Sequence, residues 1–171
     1  SVTILACNAE ESGLLGSKYY AQNSDRSNII ANINFESTPV WGEAKSIMGI
    51  GARFSGFEEI IQGLTRKNDL DYSTFSLSNQ GLFYRSDQFS FARYGIPSVW
   101  ISAGEDEASG MQNYTEFWGK EYHTVKDEFN PEWELEGMKQ TIKFALLLID
   151  HIMQMETPPQ MKSDLSFPTY E

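Results

Sequence analysis

A chain of 171 residues that is 40% hydrophobic, with four Trp, eight Tyr and eleven Phe, buries one sizeable core and is too short for two. Thirteen basic residues against 24 acidic ones give a formal charge of −11, which repels a polyphosphate and excludes nucleic acid as an expected partner. The longest apolar stretch, FALLLIDHIM, is broken by Asp150 and His151 and falls short of the roughly 20 residues of a membrane-spanning helix.

Val2 to Ala9 (VTILACNA) is rich in β-branched and apolar residues, the pattern of a strand buried on both faces of a parallel sheet. No signal peptide is visible before it, and the start reads like the interior of a strand, as expected of a fragment whose sheet is incomplete on its N-terminal side. Cys7, the single cysteine, excludes an internal disulfide and fits a small buried hydrophobe. GLLGSKYYAQ reads as a turn and short helix. Ile29 to Phe35 and Lys45 to Ile50 are further strand candidates. Gly56 to Lys67 places Phe57, Ile60, Ile61 and Leu64 at helical spacing. Residues 68–84 read as loop.

In SDQFSFARYGIPSVWIS, Ser86 or Asp87 offers an N-cap, a short helix ends at Gly95, and a strand runs from Ile96 to Ser102. A long loop is expected from Ala103 to about Phe129. The last helix is marked by Asn130 as N-cap and Pro131 at its first position, with Met138, Ile142, Ala145, Leu146, Ile149, Ile152 and Met153 as one apolar stripe. The tail from Thr157, with three prolines, is expected to run extended over the surface. Strands alternating with helices predict an α/β three-layer sandwich: a mostly parallel mixed sheet with helices on both faces.

Two adjacent carboxylates, Glu10 and Glu11, stand where the first strand should end, at the sheet edge where α/β proteins bind ligands. Acidic residues there also complement the dipole of a following helix. A glycosidase dyad needs carboxyl groups roughly 5–9.5 Å apart, which sequence neighbours seldom supply. A hydrolytic metal site uses such a pair differently: one carboxylate ligates the ion and the other moves a proton. Of the two histidines, His151 flanks the apolar stripe of the last helix and reads as structural, whereas His123 lies in a loop outside any apolar periodicity and is the better ligand candidate. Asp87 is either only a helix cap or a residue with a functional role. The acidic run Glu105–Glu107 reads as a solvated loop.

Four segments, AEESGLLGSKYYA, ANINFE, YRSDQFSFARYGIPSVW and EYHTVKDEFNPEWELEG, resemble in this order the successive motifs of the di-zinc aminopeptidase family, which includes glutamate carboxypeptidases and glutaminyl cyclases. The likeness runs from about Val2 to Gly137. It implies that residues 1–171 are the C-terminal portion of a zinc peptidase catalytic domain, with Glu10 as general base and Glu11 and His123 as ligands of one zinc. Glu36, where the family's pattern usually has aspartate, is implied as ligand of the other. Gln88 stands where the family often has histidine. The family's first zinc histidine and bridging aspartate precede the acidic pair, so the chain alone is expected to carry a partial site, to be inactive by itself and to self-associate through unpaired edges. The implied activity is exopeptidase hydrolysis of a peptide with a free N-terminus; the alternatives are a non-catalytic peptide- or partner-binding relative and glutaminyl cyclisation. By family analogy alone, an exported protein is expected.

Overall fold

The computed structural model describes residues 1–36, 42–74, 81–104 and 119–170. Four strands, β1 (Asn32–Asn34), β2 (Ser46–Ile50), β3 (Asp71–Ser73) and β4 (Ser98–Ala103), form one sheet in the order β1-β4-β2-β3. β1 runs parallel to β4, with Ile33 opposite Val99, and β2 parallel to β3; β2 and β4 are antiparallel, Met48 facing Ser102. Parallel pairs thus flank one antiparallel junction, a mixed sheet with helices packed against it.

The alternation of side chains along β2 and β4 divides the core. Ile47, Val99 and Ile101 point to the face covered by α2 (Phe57–Lys67) and α4 (Glu136–Gln154), packing with Phe57, Ile61, Phe144 and Leu148. Ile50 and Trp100 point to the other face, where they meet Phe54, Phe83, Ala92 of α3 (Gln88–Ala92) and Phe167 of the tail. α1 (Leu15–Asn23) packs beyond α3, through Ala21 against Phe91 and Ile96. In α2, Glu58 and Glu59 in the first turn and Arg66 and Lys67 in the last complement the helix dipole.

The structure corrects four expectations. Residues 1–9 form no strand: Val2, Ile4 and Leu5 are exposed, Ile4 at 95%. A β-branched run becomes a strand only with a ladder partner, and β1, three residues long, gives this segment none. Asp71–Ser73, read as loop, pairs with β2 as an edge strand too short and polar to show periodicity. The last helix begins at Glu136: Asn130 Oδ1 instead accepts from the Glu132 amide (2.9 Å), because Asn-Pro satisfies a tight turn as readily as a helix start. Within α4 the buried face is Gly137, Thr141, Phe144, Ala145, Leu148 and Ile152, while Ile142, Leu146 and Met153 of the expected stripe are exposed. The helix is apolar on more than one side, and periodicity alone does not say which side meets the sheet.

The tail does more than cross the surface. Lys162 N–H donates to the Phe54 carbonyl (2.9 Å), Met161 bridges Ser55, and Phe167 inserts among Phe54, Phe83 and Phe89 at ring separations of 5.2–5.7 Å.

Candidate active site

The acidic pair sits on a turn that the sequence between Asn8 and Gly16 builds. The Asn8 and Ala9 carbonyls accept from Gly16 (3.1 Å) and Leu15 (3.2 Å), and the Glu10 carbonyl accepts from Gly13 and Leu14. This doubling back presses Asn8 onto the start of α1, where a Cβ on Gly16 would lie 2.7 Å from the Asn8 carbonyl oxygen, so only glycine fits. Backbone strain is local: Ala9 is held at φ 54, in the left-handed region. The two carboxylates precede the N-cap Leu14, and no acidic residue lies in the first turn of α1, so helix-dipole compensation does not account for them.

His123 arrives from a distant turn. Its own φ of 59 is again left-handed, and its ring stacks on Tyr122 at 3.8 Å between centroids. Its backbone N–H donates to Asp127 Oδ2 (3.3 Å), and Thr124 Oγ1 donates to the Glu121 carbonyl (2.6 Å), which fixes the turn. In this pose His123 Nε2 lies 2.5 Å from Glu11 Oε1.

Glu36 follows β1 by two residues, beyond its carboxyl end, and is close enough to the acidic pair to interact with it electrostatically. Burial first, then the charges of Glu36, Glu11 and Asp87, push the Glu10 carboxyl up to about 7, while His123 pulls the other way. Burial also raises Glu36; a hydrogen bond with Ser86 opposes that rise, and Asp87 and Glu11 add to it. Three separated stretches of chain therefore converge: Glu10 and Glu11, Glu36, and His123.

The surroundings include residues whose part the sequence did not reveal. Asp87 occupies the N-cap position of α3, yet its side chain makes no cap hydrogen bond, and its buried Oδ1 has no partner among the described residues. Its charge bears on Glu10, Glu36 and Cys7 instead. Asn34 Nδ2 donates to Gln88 Oε1 (2.8 Å) and to Glu36 Oε2 (3.4 Å), and the fully buried Gln88 donates through Nε2 to the Phe83 carbonyl (3.2 Å). The available signal was the sequence Ser86-Asp87-Gln88 at a helix start, which capping explained equally well. His151 is half-buried in the last turn of α4, where a basic group suits the dipole. Glu105–Glu107 lie outside the described residues.

By donor type the site fits zinc: a carboxylate oxygen and an imidazole nitrogen already meet, with a second carboxylate nearby. By number it is short of a closed site, since among the described residues no three His, Cys, Asp or Glu side chains group to hold an ion. No helix among the described residues is long and apolar enough to cross a membrane.

The family model for peptidase family M28 matches residues 1–147, which contain all of Glu10, Glu11, Glu36 and His123. The chain belongs to peptidase family M28. Family M28 comprises metallopeptidases that are zinc-dependent in general, so the hydrolase class of the protein and its α/β architecture agree. No curated protein and no solved structure gave a significant match to this M28 chain.

Proposed function

We propose that the protein is a zinc-dependent exopeptidase of the aminopeptidase type, in which Glu10 is the general base, Glu11 and His123 share one zinc and Glu36 holds a second. The convergence of these residues from three separate segments, inside a chain of family M28, carries the reading. When bound, zinc polarises the scissile carbonyl and acidifies the attacking water. Glu10, beside the Glu11–His123 contact and outside it, takes the water's proton and delivers it to the leaving amine. Surplus acid around the site, with Asp87 added to the three glutamates, favours a substrate presenting a protonated amino terminus. In this reading the remaining donors come from outside the described residues.

One observation favours a second reading, a non-catalytic relative that binds peptides in the same crevice: the described donors do not by themselves close around an ion. Peptides with free and with acetylated N-termini, incubated with zinc and the protein carrying its full ligand set, separate the two. Release of the N-terminal amino acid from the free peptide alone, stopped by a chelator, is the expected result. Binding without release supports the second reading, and pyroglutamate formation from an N-terminal glutamine peptide would replace hydrolysis with cyclisation.

A further inference from the structure

Gln88 is fully buried, and its carboxamide lies between a main-chain carbonyl and the side chain of Asn34. The Phe83 carbonyl can only accept a hydrogen bond, so Gln88 must turn its NH2 toward it. That leaves Gln88 Oε1 facing Asn34, an acceptor that the Asn34 NH2 satisfies at 2.8 Å. With its NH2 so directed, Asn34 presents its second N–H to Glu36 Oε2. Each amide is free to flip by itself, and the sequence of contacts removes that freedom one link at a time.

We infer that Gln88 and Asn34 form a polarity relay that orients the Glu36 carboxylate, the Phe83 carbonyl setting the direction in which every hydrogen bond points. Gln88 is thus a positioning residue, acting on Glu36 only through Asn34. A flipped Asn34 would set a carbonyl oxygen against a carboxylate, with the repulsion that follows between two acceptors. The Ser86 hydroxyl cannot replace the relay, because its single proton is shared between Glu36 and the Leu82 carbonyl (3.2 Å). The inference rests on the reading of Glu36 as a zinc ligand, since supporting hydrogen bonds of this kind tune metal affinity by about 10–100-fold.

Zinc affinity of the protein carrying its full ligand set, measured by competition with a chromophoric chelator, tests the relay alongside the melting temperature of each metal-free variant. Gln88→Met, similar in length but unable to accept from Asn34 or donate to Phe83, should weaken zinc binding about tenfold. Asn34→Leu should do the same, and the double variant should be no weaker than the worse single one, because both break one chain of bonds. If Glu36→Gln weakens zinc binding while Gln88→Met and Asn34→Leu do not, Glu36 is a ligand and the relay is wrong. If Glu36→Gln leaves affinity unchanged, Glu36 is not a ligand and the inference falls with that reading. A second measurement needs no variant: in the unmutated metal-free chain the side-chain amide protons of both Gln88 and Asn34 should exchange slowly with solvent, and rapid exchange at Asn34 would overturn the relay.

Discussion

Glu11 Oε1 and His123 Nε2 meet at 2.5 Å across 112 positions of chain, with side chains 67% and 51% exposed. A contact so open to solvent contributes at most about 1 kcal/mol to folding, even where both groups are charged. His123→Ala should therefore change the urea midpoint of the metal-free chain by less than the equivalent of about 1 kcal/mol while lowering zinc affinity. A large loss of metal-free stability would make the contact a structural clasp.

The acidic cluster makes stability depend on pH in a predictable sense. Glu10 and Glu36 are raised above their ordinary values in the folded chain, so between about pH 4.5 and 7 the native state binds more protons than the unfolded state. Stability of the metal-free chain should fall as pH rises through that window. Asp25 and Glu136, which hydrogen bonds hold below their ordinary values, contribute the opposite slope only at lower pH. Denaturation by urea at pH 5 and pH 7.5 should show the lower midpoint at pH 7.5, and Glu10→Gln should reduce the difference. An unchanged difference in that variant would mean that Glu10 is not the group responsible.

Phe167 ties the tail to the sheet. It is 8% exposed and contacts the rings of Phe54, Phe83 and Phe89. Phe167→Ala should cost about 2–3 kcal/mol, toward the low end for a buried phenylalanine because a terminal segment can detach instead of leaving a cavity. The same variant should expose residues 157–170 to limited proteolysis. A stable, protease-resistant tail in the variant would show that the backbone contacts of Met161 and Lys162 suffice.

Ala9 carries backbone strain next to the proposed base. A left-handed conformation costs a non-glycine residue about 1–2 kcal/mol, and glycine adds about 0.5–1 kcal/mol of unfolded-state entropy. Ala9→Gly should therefore stabilise the chain by roughly 0.5–1 kcal/mol in chemical denaturation. Destabilisation would indicate that the Ala9 side chain makes packing contributions larger than the strain.

Elements with a strong local signal were legible in the sequence. The amphipathic pattern of Phe57, Ile61 and Leu64 and the apolar strand at Val99–Ile101 lie where expected, because each has one face or core to satisfy. Val2–Ala9 failed because an apolar run specifies burial without naming the ladder that receives it. Ile142, Leu146 and Met153 misled for a related reason: they are apolar at helical spacing on a side of α4 that the sheet does not cover. In the site, the Glu10–Glu11 pair and His123 stood out by residue type and position. The link from Gln88 through Asn34 to Glu36 did not, since a polar side chain reveals its partner only after strands and helices have folded together.

The division of labour between Glu10 and Glu11 is the centre of the account, and bound zinc measured together with turnover tests it most directly. In the protein carrying its full ligand set, Glu10→Gln should retain zinc and lose peptide hydrolysis by about 10²–10⁴-fold, because a base is removed and a ligand is not. Glu11→Ala should lower zinc affinity by about tenfold or more. Equal zinc content in the two variants, or undiminished turnover in Glu10→Gln, would contradict it.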